Sequence, residues 1–193
     1  VVLDDAHGLG VGGAGGRGSA AAEGVLEDVN VIVGTFSKAL ASVGGFVAGE
    51  ADVIDGIRHR ARALIFSASI APACAAAARA ALRLVREQPE HVARMRENAR
   101  QLRRVLAERG FSVEESEIPI VALKAGSNDR CFRVCKAMAD RGVFANPVIG
   151  PAVPEGRAVI RLSVMATHEV AQIERGAELA AAAFTAVGGK LAS

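Results

Sequence analysis

Lys38 closes the run VNVIVGTFSK, directly after a continuous apolar, β-branched stretch (Val29 to Gly34) of the kind that forms a parallel strand covered on both faces. Open α/β sheets bind ligands at the carboxyl ends of such strands, and an amine desolvated there becomes a nucleophile toward an aldehyde. A lysine that merely ends a strand in solvent is the competing reading. Lysine is scarce in this chain: Lys38, Lys124, Lys136 and Lys190 stand among 23 basic residues, the rest being arginine. A second strand-like run, VVLDDAH, ends in Asp4, Asp5 and His7. An Asp with a His three residues later can offer a carboxylate and an imidazole to one planar ligand. Alternation alone says only that Asp4 and Asp5 point to opposite faces.

Pyridoxal phosphate needs such a set. It takes a lysine for a Schiff base, a carboxylate that keeps the pyridine nitrogen protonated so that the ring acts as an electron sink, and polar donors around the phosphate and the phenolic oxygen. Thr35 and Ser37, beside Lys38, are candidate phosphate donors. Arg161 lies in AVIRLSV, flanked by apolar residues. Its planar fork suits bidentate binding of an amino acid carboxylate, with a structural ion pair as the alternative.

Right behind the first acids comes Gly8-x-Gly10-x-x-Gly13, the spacing of a dinucleotide-binding loop. Asp4, Asp5 and His7 stand where such a loop would approach an anion with neutral backbone. On this pattern alone a turn after the strand and a dinucleotide cradle both stay open; the resemblance given below favours the turn. A nicotinamide-dinucleotide-binding protein is the alternative from a different class, predicting NAD binding that is indifferent to loss of Lys38.

The surrounding chain must position these groups. With 193 residues, 51% hydrophobic and 23% charged, it reads as globular. A net charge of +2 supplies no excess that would draw in nucleic acid. The longest apolar tract, SIAPACAAAARAALRLV, is interrupted by Pro72 and Arg79, short of the roughly 20 residues of a membrane span. Cys74, Cys131 and Cys135 are an odd set without metal-ligand spacing; Cys131 and Cys135, four apart on an expected helix, read as core thiols, which suits a reducing cytoplasm; no metal is expected. The chain starts without Met, inside a strand-like run, and is expected to be N-terminally truncated, so that it folds weakly or is inactive alone.

GGFVAGE reads as a third strand, and Ile70 to Gln88 as helical. Val92, Met95, Ala99, Leu102 and Leu106 then share one helix face, closed by Gly110, with a solvated arginine face opposite. FSVEESEIPIVALKAG suggests two strands and SNDRCFRVCKAMADRG a helix capped by Ser127 or Asn128. VFANPVIGPAVPEG reads as an irregular loop, AVIRLSVMA as a strand, and the segment from Thr167 as a last helix with Thr167 at its cap. The fold class is α/β, with a first domain over 1–110 and a small α+β domain over 111–193.

VVLDDAHGLGVGGAGGRG, VIVGTFSKALASVGGFVAG, ALIFSASIAP and VIRLSVMATH together resemble the successive landmarks of the α-oxoamine synthases. These are fold-type-I pyridoxal phosphate enzymes that include serine palmitoyltransferase and 8-amino-7-oxononanoate synthase, the two members the landmarks most resemble. The resemblance covers nearly the whole chain. It implies that residues 1–110 belong to the large mixed-sheet cofactor domain. It places Asp4 at the pyridine nitrogen, His7 at the phenolic oxygen, Thr35 at the phosphate, Lys38 as Schiff-base lysine and catalytic base, and Arg161 at the substrate carboxylate. Ser67 and Ser69 match the segment that reaches a partner subunit's phosphate. The implied reaction condenses an amino acid with an acyl-CoA, releasing CoA and carbon dioxide, in a homodimer with shared sites. An aminotransferase of the same fold is the nearer alternative, and an inactive fragment a further one.

Overall fold

A computed structural model of the chain describes residues 1–188. Lys190 lies outside the described residues. The chain divides into two compact units, Val1–Val92 and a second starting at Ala93.

In the first unit the three expected strands form one sheet in the order β1 (Val2–Asp4), β2 (Val31–Thr35), β3 (Gly45–Gly49). β1 runs parallel to β2 with Asp4 opposite Val33, which places the carboxyl ends of both strands side by side. The connection from Thr35 to Gly45 is too short for a parallel crossover, so β3 returns antiparallel to β2. The longer connection between β1 and β2 holds a one-turn helix, α1 (Ser19–Ala22). After β3 come α2 (Ala51–Arg60), α3 (Arg62–Ile65) and α4 (Pro72–Glu87). Pro72 sits in the first turn of α4, where its missing N–H costs no hydrogen bond. β2 is less covered than its composition suggests. Val31 and Gly34 are buried, whereas Ile32 and Val33 are only half-buried.

α5 (Glu90–Ala107) carries the chain into the second unit. There β4 (Ile120–Gly126), β5 (Asn146–Val148) and β6 (Ala158–Ser163) form an antiparallel sheet in the order β4-β6-β5, with α6 (Asn128–Ala139) and α7 (Val170–Val187). Strict alternation along β4 and β6 buries Val121, Leu123, Ala125, Ile160 and Leu162 on one face. That face packs with Ala99, Leu102 and Leu106 of α5, Val134 and Met138 of α6, and Ala177 and Phe184 of α7. Phe184 meets Phe111 edge to face at 5.0 Å, and the Arg130 guanidinium lies 5.4 Å from the Phe184 ring. The apolar face of α5 packs into the core of the second unit.

Three local expectations change. Residues 112–119 form no strand; Arg103 of α5 donates instead to the carbonyls of Glu114 (3.0 Å) and Ile118 (2.8 Å) in this segment and of Ile120 (2.8 Å) at the start of β4. The proline-bearing segment read as loop contains β5, and Pro147 is tolerated because β5 is an edge strand. The last helix is capped by Glu169 in a capping box with Gln172, not by Thr167. Ser127 caps α6 as expected, accepting from the Arg130 N–H at 3.2 Å. Cys131 is fully buried and Cys135 packs against the same core. No helix among the described residues is long and apolar enough to cross a membrane.

Candidate functional site

The parallel pairing of β1 and β2 gathers the chemistry of the first unit at one end of its sheet. Asp4 is exposed at the end of β1, and its Oδ1 accepts the Ala6 N–H at 3.0 Å, which turns the chain toward His7, also exposed. At the end of β2, Thr35 Oγ1 lies 2.8 Å from Ser37 Oγ and accepts the Ser37 N–H at 3.3 Å. Thr35 also donates to the Gly44 carbonyl at 3.3 Å. Phe36 N–H to Gly44 O (2.9 Å) and Ser42 N–H to Phe36 O (2.8 Å) close the loop that carries Lys38. Ala41 in that loop holds φ +48°, a left-handed conformation uncommon for a residue with a Cβ.

The two loops touch. Gly10 (φ +77°) follows His7, and a Cβ there would overlap the side chain of Ala39, the neighbour of Lys38. Asp4, His7, Thr35, Ser37 and Lys38 therefore lie on adjoining loops at one sheet end. Lys38 itself is exposed, so the desolvation expected for it is not supplied by the residues of this chain.

The glycine loop is not a phosphate cradle. Its amides point inward: Gly8 N–H to Asp5 O (3.1 Å), Gly10 N–H to Gly16 O (2.8 Å), Gly12 N–H to Gly8 O (2.8 Å) and Gly18 N–H to Gly12 O (2.9 Å). Backbone donors spent within the loop cannot receive a pyrophosphate. The Ser19 N–H, at the start of α1, is taken by the Asp5 carboxylate at 3.0 Å. These bonds fit the expected turn after the strand and speak against the alternative dinucleotide reading of Gly8, Gly10 and Gly13.

Ser67 and Ser69 are exposed in the segment between α3 and α4. That segment is fixed near the lysine loop by Ile70, whose side chain crowds Gly44, and by Ser42 Oγ donating to the Cys74 carbonyl at 2.7 Å. No recorded contact joins either serine to Lys38.

Arg161 belongs to the second unit, in the central strand β6, between Ala122 of β4 and Asn146 of β5. Its Nε is buried without a hydrogen-bond partner. Such an orphaned donor is costly unless an acceptor reaches it, and a carboxylate is the acceptor its fork matches. Arg161 also lines a cavity of about 460 Å³ whose other polar residues include Asn146, His168 and Gln172. Sequence reasoning missed Asn98, which is buried on α5 and donates to the carbonyls of Met165 (2.8 Å) and His168 (2.9 Å), fixing the turn that leaves β6. The available signal was an amide inside the apolar stripe between Met95 and Leu102.

A two-unit α/β chain with lysine, aspartate and histidine at the ends of two parallel strands has the architecture of a fold-type-I transferase. The chain belongs to the aminotransferase class I and II family, whose model matches residues 1–179. It is 46% identical over 178 residues to a serine palmitoyltransferase of Sphingobacterium spiritivorum, an alignment covering 92% of this chain and 45% of the relative. It is 43% identical over 175 residues to a putative 8-amino-7-oxononanoate synthase 2 of Mycobacterium tuberculosis, covering 91% of this chain and 23% of that one. These relatives are α-oxoamine synthases, the group the sequence landmarks resemble. Among solved structures, a serine palmitoyltransferase from S. paucimobilis with a bound PLP–myriocin aldimine superposes with a TM-score of 0.90 at 33% identity. That match covers 97% of this chain and 48% of the other. The chain thus spans less than half the length of these relatives.

Proposed function

We propose that this chain is the lysine-bearing part of a pyridoxal-phosphate-dependent α-oxoamine synthase, which joins an amino acid to an acyl-CoA with release of CoA and carbon dioxide. The observation that carries the reading is the contact between the Asp4–His7 loop and the Lys38 loop, at Gly10 and Ala39. The donor set fits the cofactor. Asp4 offers a carboxylate to the ring nitrogen, His7 an imidazole to the phenolic oxygen, and Thr35 and Ser37 paired hydroxyls to the phosphate. Ser67 and Ser69 serve a phosphate across a homodimer. Residues 1–110 form part of the large cofactor-binding domain and residues from 111 the small α+β domain.

Pyridoxal phosphate, when bound, supplies an electron sink that makes the α-carbon of the amino acid acidic. Lys38 accepts the α-proton at Nζ and returns it after carbon dioxide is lost. Asp4 keeps a proton on the ring nitrogen. Arg161 holds the amino acid carboxylate with its fork, and its unpartnered Nε is the donor that this carboxylate satisfies. Fixing both substrates in line accounts for much of the rate. The first unit's exposed Leu64, Ile65 and Phe66 belong to the surface on which the rest of such a protein packs. Its free cysteines suit a reducing cytoplasm.

The test is a visible absorption spectrum of the full-length protein with pyridoxal phosphate, beside Lys38→Ala, followed by an amino acid and an acyl-CoA with detection of free CoA thiol. A band that requires Lys38, with thiol release on adding both substrates, is expected. Consumption of an oxoacid without thiol release would assign the chain to an aminotransferase instead.

A further inference from the structure

Asp5 has no part in the chemistry just described, yet it is buried at 6% exposure beside the exposed Asp4. Its N–H donates to Val33 O at 2.8 Å, carrying the β1–β2 ladder one step past Asp4. Its carbonyl accepts the N–H groups of Gly8 and Leu9, both at 3.1 Å, and its carboxylate accepts the Ser19 N–H at 3.0 Å. A Cβ on Gly8 would overlap Oδ1 of this carboxylate, and a Cβ on Gly18 would overlap Oδ2. Both ends of the glycine loop therefore close on one side chain, and glycine is required at both because nothing larger fits against the oxygens.

A carboxylate is costly to bury, and apolar packing would hold a loop at lower cost. What a carboxylate adds is a directional, charge-assisted grip on N–H donors. Two of the gripped points adjoin the chemistry: Asp4 immediately precedes Asp5, and His7 immediately precedes Gly8. The same loop presses on Ala39 beside Lys38 through Gly10.

We propose that Asp5 is a positioning residue that sets where Asp4 and His7 stand relative to Lys38, by fastening the end of β1 to both ends of the glycine loop and to the start of α1. The inference rests on the reading of this site as one for pyridoxal phosphate. Asp5 touches neither cofactor nor substrate in this role. It acts through the backbone of its neighbours, as supporting residues around metal sites act through their ligands, where loss costs on the order of tenfold or more in affinity.

The experiment measures cofactor affinity and the pH midpoint of the visible band in the full-length protein. Asp5→Ala is compared with Ala78→Gly, a substitution in α4 that lowers thermal stability and removes none of the hydrogen bonds that fasten the loop. Asp5→Asn keeps an oxygen for the Ser19 N–H and is expected to restore most of the affinity. Asp5→Glu is not, since its extra methylene has no room between Gly8 and Gly18. Should Asp5→Ala fail to fold, Ser19→Pro removes the N–H donor together with the hydroxyl, at a first helical position that accepts proline, and Ser19→Ala removes the hydroxyl alone as its control. Expected are a roughly tenfold loss of affinity and a displaced pH midpoint in Asp5→Ala or Ser19→Pro, with Ala78→Gly keeping the parent midpoint. A midpoint in the loop variants that superposes on that of Ala78→Gly overturns the inference while leaving the cofactor reading intact. Absence of the band in the unsubstituted protein overturns the cofactor reading and this inference with it.

Discussion

The second unit closes a core of its own, whereas the first holds the chemistry on a sheet it barely covers. In the second, Leu106, Leu123, Ile160 and Phe184 are sealed from water between one sheet face and three helices. In the first, Val31, Leu40 and Ala78 are buried, but Val43, Leu64 and Phe66 are exposed, Phe66 at 81%. Yet hydrogen bonds fix Asp4, Thr35 and Ser37 there, and the close approach of Gly10 to Ala39 brings together the loops that carry His7 and Lys38. A reactive end of a sheet can thus be shaped by loop hydrogen bonding and glycine contacts alone.

The largest effect is expected where the core is sealed. Phe184→Ala removes a fully buried ring from its edge-to-face contact with Phe111 and is expected to cost about 3–5 kcal/mol in thermal or denaturant unfolding. Phe66→Ala in the same 193-residue chain is expected to cost about 0.5 kcal/mol or less, because its ring already faces water. Equal losses at the two positions would break the comparison. A large loss for Phe66→Ala in the full-length protein alone would sharpen it, by showing that the surface is covered there.

Next in size is Arg103. Its guanidinium is buried, which lowers its affinity for a proton, while the nearby Glu115 carboxylate raises it. Arg103→Met leaves the carbonyls of Glu114, Ile118 and Ile120 without their donor and is expected to cost about 2–3 kcal/mol. Faster hydrogen exchange should follow in β4, which begins where these bonds end. Asn98→Ala removes two donors from the turn after β6 and is expected to cost about 1–2 kcal/mol. In the full-length enzyme it should raise KM for the amino acid more than it lowers kcat, because the turn continues the strand that carries Arg161.

Periodicity made the elements legible where one physical rule decided the outcome. The β-branched runs of β1 and β2, the apolar stripe of α5 and the Ser127 cap all follow from local pattern. The misses lie where a distant group decided it. Residues 112–119 fall in a stretch read as strand, but a buried guanidinium takes the carbonyls of Glu114 and Ile118, and no local pattern announces that. β5 forms through Pro147 because the position is a sheet edge, which sequence alone does not reveal. The candidate site was legible as a kit of residue types at strand ends, and the geometry brings five of them onto touching loops. The division of labour between Asp4 and Asp5 was not legible from residue types, since both are acids on a short strand. The glycines at 8 and 18 distinguish the two in the structure, by closing on the Asp5 carboxylate while Asp4 stays exposed.

The smallest effect expected is a pH dependence confined to the second unit. Burial raises the thiol of Cys131, and burial together with the neighbouring Cys131 pushes Cys135 up from 9.0 to about 11. Below pH 9 the Cys135 thiol is protonated in both folded and unfolded chains and adds no slope. Between about 9 and about 11 the unfolded chain gives up this proton first, so the folded state binds more protons and stability falls as pH rises. Cys135→Ala is expected to flatten that fall without moving stability at neutral pH by more than about 1 kcal/mol. Hydrogen exchange locates the effect. Amides of α6 should lose protection between pH 9 and 11 in the parent and keep it in Cys135→Ala, whereas those of β2 should behave alike in both. An equal loss of protection in β2 would mean that the two units unfold together, and the contrast between a sealed unit and an open one would then describe their packing but not their stability.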